Sequence, residues 1–111
     1  MPTVDQQYDE AIKLKEAGKL DEAIEKLEAL AEDDPDFALA HAALSVFYQQ
    51  KGRNDEAVEE ARKVCQLEPD DPFSFTSMSI VCRKAGNTAE AENAMAQAMM
   101  KRFASQNGSD Q

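Results

Sequence analysis

The side chains of this chain best suited to chemistry are few and scattered. There is one histidine, His41, and two cysteines, Cys65 and Cys82. A histidine can serve as a general base or a metal ligand, and a thiolate as a nucleophile or a soft metal ligand. Neither finds its usual companions: the sequence carries no serine–histidine–acid set, no glycine-rich phosphate loop and no zinc-ligand spacing. The acidic pairs Asp33–Asp34 and Asp70–Asp71 could hold a cation weakly. They lack the spaced oxygen ligands of a calcium loop, however, and they adjoin Pro35, Pro69 and Pro72, where turn and helix-boundary roles account for them. The expectation is therefore a non-catalytic protein with no metal and no cofactor. His41 is expected as a packing residue. Cys65 and Cys82 fall on apolar helix positions and are expected as buried reduced thiols, a Cys65–Cys82 disulfide being the minor alternative.

The elements that hold these residues are set out by glycines. Gly18, Gly52 and Gly86 lie 34 residues apart, in the similar phrases GKLDEAI, GRNDEAV and GNTAEAE; the fourth glycine is Gly108. A fixed period of this size marks a stacked helical repeat. Aligned on the glycines, the units are 4–37, 38–71 and 72–105. Each reads as two helices: 4–17 with 21–33, 38–51 with 55–67, and 72–85 with 89–104. Glycine in each internal turn can take the left-handed conformation that ends a helix. Asp21, Asp55 and Thr88 stand where a side-chain oxygen can cap the second helices. The apolar rows also repeat by period. Ala11 and Leu14 become Ser45 and Tyr48, then Ser79 and Cys82, with Leu44 and Met78 beside them. Ala23 and Leu27 become Ala57 and Ala61, then Ala91 and Met95, and Leu30, Val64 and Ala98 close the series. Residues three and four apart share a helix face, so these rows predict one seam inside each hairpin.

In this register the chain resembles the tetratricopeptide repeat. The second unit carries Leu44, Ser45, Tyr48, Gly52, Ala57, Val64 and Pro69. The first keeps Ala11, Gly18, Ala23, Leu27 and Pro35. The third keeps Phe75, Met78, Ser79, Gly86, Ala91 and Ala98, with Phe103 in place of the closing proline. His41 takes a large-residue position of the pattern. The resemblance implies an all-α fold: a right-handed α-solenoid of three antiparallel helix hairpins forming a single domain over residues 1–105, with 106–111 a disordered tail. It also implies a concave wall built from the first helix of each hairpin. Helical spacing then selects the residues on that wall, in columns one period apart: Asp5, Leu39 and Phe73; Tyr8, Ala42 and Thr76; Ile12, Val46 and Ile80; Lys15, Gln49 and Arg83. The column Ile12, Val46, Ile80 is apolar throughout, which suits a peptide with small hydrophobic anchors. The alternative is that these aliphatics only pack against neighbouring helices.

A subset of the family grips a C-terminal carboxylate with cations and amides. The matching places here hold Tyr8, Ile12, Ala43, Phe73 and Ser77, none a cation or an amide, so that mode of binding is not expected.

The formal net charge is −10, which disfavours nucleic acid and anionic membrane and favours a neutral or basic partner. The charge is uneven: 12 acids and 4 bases in 1–37, 7 and 4 in 38–71, 3 and 4 in 72–111. No run of apolar residues is long enough to span a membrane, and the first residues lack a secretory pattern, so a cytoplasmic protein is expected. The last helix carries Met95, Met99, Met100 and Phe103, and no capping helix is expected beyond it. Met99, Met100 and Phe103 thus mark a second candidate interface. The function expected is a non-catalytic adaptor that binds a peptide or protein segment in the concave groove. The alternatives are self-assembly through the methionine-rich end, as a homodimer or larger scaffold, and a regulatory subunit docking on an enzyme.

Overall fold

The computed structural model describes residues 1–109; positions 110–111 of the expected disordered tail lie outside the described residues. Six helices follow one another: α1 (Val4–Glu16), α2 (Leu20–Asp33), α3 (Ala38–Gln50), α4 (Asn54–Leu67), α5 (Pro72–Lys84) and α6 (Thr88–Ser109). Helices α1 and α2, α3 and α4, and α5 and α6 pair as hairpins, and α2 on α3 and α4 on α5 join the hairpins into a stack. The protein is an all-α repeat solenoid.

The glycine turns explain why each hairpin closes at the same place. Gly18, Gly52 and Gly86 have φ of 80°, 78° and 86°. The hydrogen bonds around them are those of a Schellman cap: Lys19 N donates to Leu14 O at 2.9 Å, Arg53 N to Tyr48 O at 2.8 Å, and Asn87 N to Cys82 O at 2.8 Å. A Cβ at any of the three would meet nothing within 4 Å, so backbone conformation alone, not crowding, demands glycine.

The structure corrects the capping residues. Helices α2 and α4 start directly after the Schellman turn, so Lys19 and Arg53 occupy their N-cap positions, with no side-chain cap bond. Asp21 and Asp55 lie inside the first turn instead, where their charge complements the helix dipole. Thr88 is already helical. Side-chain caps occur elsewhere. Thr3 and Gln6 form a capping box on α1, with Gln6 N donating to Thr3 Oγ1 at 3.1 Å and Thr3 N to Gln6 Oε1 at 2.8 Å. Asp71 caps α5 by accepting from Phe73 N at 3.0 Å, with Pro72 at the first helical position. Helix α6 continues past residue 104, where the sequence reading ended it, to Ser109.

The seam is buried as its periodicity requires. Ala11, Ala23, Leu27, Leu30, Leu44, Tyr48, Ala57, Ala61, Met78, Cys82, Ala91 and Ala98 are all core residues, while Leu14, Val64 and Met95 are half-buried. Alanine at the crossing points lets the paired helices approach closely, and leucine fills the space between them. Truncating a wholly buried leucine such as Leu27 costs about 2–5 kcal/mol in comparable cores. The joints between hairpins add Ile24, Phe47, Val58 and Val81 to the core.

Candidate protein-docking groove

The first helices of the three hairpins carry the predicted columns, but the structure treats their members unequally. Val46 and Ile80 are 47% and 45% exposed, whereas Ile12 is half-buried against the core. Leu39 and Phe73 are 52% and 73% exposed, and Asp5 holds their place on α1. Tyr8 packs edge-on against Phe37, with ring centroids 6.1 Å apart, so it belongs to the joint between the first two hairpins. Ala42 and Thr76 are half-buried, and the Thr76 hydroxyl donates to Pro72 O at 3.1 Å within its own helix. Lys15 and Arg83 are exposed, while Gln49 turns inward with its Nε2 buried and unbonded.

The outcome is a cleft of about 300 Å³ between α3 and α5. Leu39, Ala42 and Val46 line one wall, Phe73, Ser77 and Val81 the other, and Ala61 and Val64 of α4 form the floor. Glu68 and Asp71, where α4 passes to α5, lie at its rim. The structure therefore brings Leu39, Ala42, Val46 and Phe73 together. Tyr8, Ile12 and Lys15 of the first hairpin are not among its lining residues, nor are Gln49, Thr76, Ile80 and Arg83.

The last helix exposes Met99, Met100 and Phe103. By register, Met99 stands where Ala31 and Cys65 stand in the earlier units. There α5 covers Cys65, whose thiol donates to Ser74 O at 3.4 Å and lies 3.7 Å from Met78 Sδ. Two turns back, Ile24 and Val58 are buried while Glu92, their counterpart, is exposed. The stacking face of α6 is thus polar at its start and apolar at its end.

The polar residues make structural contacts that sequence spacing did not reveal. His41 is buried, as its helix position requires, but it also bonds at both ring nitrogens. Nε2 donates to Pro35 O at 2.7 Å, and Nδ1 lies 3.2 Å from Glu60 Oε2. A carbonyl only accepts, so Nε2 carries a proton, and the Glu60 contact needs a second proton on Nδ1 or on the carboxylate. Lys63 approaches the same carboxylate at 3.3 Å. Tyr48 donates to Glu28 Oε2 at 2.5 Å and lies beneath the Arg53 guanidinium, 4.4 Å from its ring centroid. Burial and the Glu28 carboxylate raise its pKa well above the ordinary phenol value. Arg62 grips Glu90 of α6 through two bonds of 2.9 and 2.8 Å, and that grip holds the Glu90 carboxyl below its ordinary value.

Cys65 and Cys82 are free and buried. Burial, then the neighbouring Cys82, pushes the Cys65 thiol up to about 11, and burial raises Cys82 as well. Such thiols are poor nucleophiles near neutrality. Among the described residues, no group of three or more histidine, cysteine, aspartate or glutamate side chains converges on a point that could hold a metal ion. No described helix is long and apolar enough to cross a membrane.

The sequence pattern that defines the tetratricopeptide repeat matches residues 8–72, more than half of the chain. The chain belongs to the tetratricopeptide repeat family. Solved structures of similar fold include MamA, with a TM-score of 0.85 and 19% identity over 95% of this chain and 61% of that one. The second tetratricopeptide domain of Spaghetti (RPAP3), solved bound to the HSP90 peptide SRMEEVD, has a TM-score of 0.77 and 18% identity over 87% of this chain and 90% of that one. The type III secretion translocator chaperone SycD of Yersinia enterocolitica has a TM-score of 0.79 and 22% identity over 89% of this chain and 75% of that one. At these identities the likeness is one of fold. This tetratricopeptide chain spans 55–61% of the length of the three MamA structures it resembles first. No curated protein matches its sequence closely enough to count as a relative.

Proposed function

We propose that this tetratricopeptide domain is a non-catalytic interaction module that binds a segment of another protein on the face formed by α3 and α5. The observation that carries this reading is the apolar cleft walled by Leu39, Val46 and Phe73. Large side chains stay exposed there at positions where the first hairpin has an aspartate (Asp5) or an isoleucine already packed on the core (Ile12). Concave, mostly apolar clefts of this size take one or two anchoring side chains of a ligand. A related fold in RPAP3 is known with a peptide bound, which supports the mode of use but not the same ligand. Tyr8, Ile12, Ala43, Phe73 and Ser77 supply no cation or amide for a terminal carboxylate, so the ligand is held through its side chains. The remaining expectations accompany this reading: a neutral or basic protein partner, no nucleic acid or membrane, and a place in the cytoplasm.

The test is selection of binders from a displayed library of random short peptides. Val46→Glu, at a half-exposed position, should abolish capture while the helical circular-dichroism spectrum is unchanged; retained capture would remove the cleft from consideration.

A second reading rests on Met99, which is exposed at the register place where α5 covers Cys65. It makes the end of α6 a self-association surface formed with Met100 and Phe103. Concentration-dependent sedimentation that Met100→Glu eliminates would support it, and a monomer at all concentrations would dismiss it.

A further inference from the structure

We infer that the cleft between α3 and α5 selects a protein segment in which an apolar anchor is flanked by a lysine or arginine, the cation being met by Glu68 and Asp71. This deepens the groove reading above and rests on it. The charged side chains that line the cleft are Glu68 and Asp71; both are acidic and both lie at one rim. Asp71 is held in place by the bonds it accepts from Phe73 N at 3.0 Å and Ser74 Oγ at 3.5 Å. A carboxylate has about four acceptor sites, so these bonds orient it without exhausting it. The Glu68 side chain forms no hydrogen bond or ion pair with any described residue. Its carboxylate stands ready for a cation from outside the chain.

Phe73 completes the arrangement. Its ring is 73% exposed beside Asp71, and an exposed aromatic face attracts a guanidinium or ammonium group. An apolar wall, an aromatic face and two carboxylates at one rim match an aliphatic or aromatic anchor with a neighbouring cation. They oppose an acidic flank or a free C-terminal carboxylate, because like charges brought together at an interface disfavour binding. The net charge of −10 acts in the same direction at longer range.

The experiment uses the whole chain and a panel of acetylated, amidated synthetic peptides. Each carries a leucine–phenylalanine anchor, flanked by arginines, glutamines or glutamates, and binding is read by fluorescence anisotropy. The arginine-flanked peptide should bind about tenfold more tightly than the glutamate-flanked one, and the difference should shrink as salt is raised. Glu68→Gln should reduce that preference to about threefold or less without altering affinity for the glutamine-flanked peptide. Asp71→Asn, which keeps an N-cap oxygen, should act in the same direction.

Equal affinities across the panel, or a glutamate preference, overturn the charge selectivity while leaving the groove standing. Binding that survives Val46→Glu, or no binding by any peptide, overturns both readings. If the chain alone sediments as a dimer that Val46→Glu dissociates, a second copy is the occupant and the inference is wrong.

Discussion

Ile12 and Val46 occupy the same place in successive repeats, yet one is packed on the core and the other is 47% exposed. The joints on either side of the second hairpin differ in a parallel way. The first joint is fastened by His41 Nε2 on Pro35 O, the same ring meeting Glu60 inside the second hairpin, and by Tyr48 on Glu28. The second is fastened by the partly exposed Arg62–Glu90 pair and by the Cys65 thiol against α5. The comparison teaches that equal repeats divide their labour. The first hairpin contributes most of the negative charge, and the second and third contribute the open apolar cleft.

The comparison can be broken most severely at the joints. His41→Ala leaves the Glu60 carboxylate buried without its imidazole partner and should lower the unfolding free energy by about 3 kcal/mol. Arg62→Ala at the second joint removes a partly solvated pair and should cost about 1 kcal/mol or less. Urea denaturation of the two variants measures both values, and equal losses would mean that the two joints are fastened alike.

The column itself supplies the next contrast. Ile12→Ala removes methyl groups packed on the core and should destabilise by about 1–2 kcal/mol. Ile80→Ala lies at an exposed position and should stay within about 0.5 kcal/mol. Peptide binding should follow a different order: it should respond to Val46→Ala, which lines the cleft, and little to Ile12→Ala or Ile80→Ala, which do not.

Cys65 allows the second joint to be followed by pH. Its folded pKa is raised from 9.0 to about 11, so the folded state favours the protonated thiol. This stabilisation is complete below the unfolded value and is lost as pH rises through the folded one, by on the order of 1 kcal/mol near pH 10. Thermal melts of the wild type and Cys65→Ala across that range should converge, the wild type losing more. Tyr48, also raised, acts in the same direction for the first joint at still higher pH. The smallest effect concerns the ligand: amidating the C-terminus of a bound peptide should change its affinity by no more than about twofold, and a large loss would show that the first helices grip a terminal carboxylate after all.

Much of the architecture was legible because it depends on local rules. The Schellman turns need glycine at a left-handed backbone position, and the 3.6-residue helix places Ala23, Leu27 and Leu30 on one face. Capping was less legible. The turn runs into the next helix without a spare residue, so Lys19 and Arg53 displaced Asp21 and Asp55 from the caps. The partnership of Glu60 with His41 left no periodic trace, since the register equivalents of Glu60 are Lys26 and Ala94. The cleft was half legible. Its column was visible, but its restriction to α3 and α5 follows from how closely Tyr8 and Ile12 pack at the first joint.

The sequence by itself determined the number of repeats, their register, the helix faces that meet and the distribution of charge. Each follows from spacing along the chain and the fixed geometry of the helix. Only the tertiary structure decided which members of a column are covered, which carboxylates find a partner and which remain free at the cleft. Those outcomes depend on contacts such as Arg62 with Glu90, 28 residues apart, which packing brings together and helical periodicity does not encode.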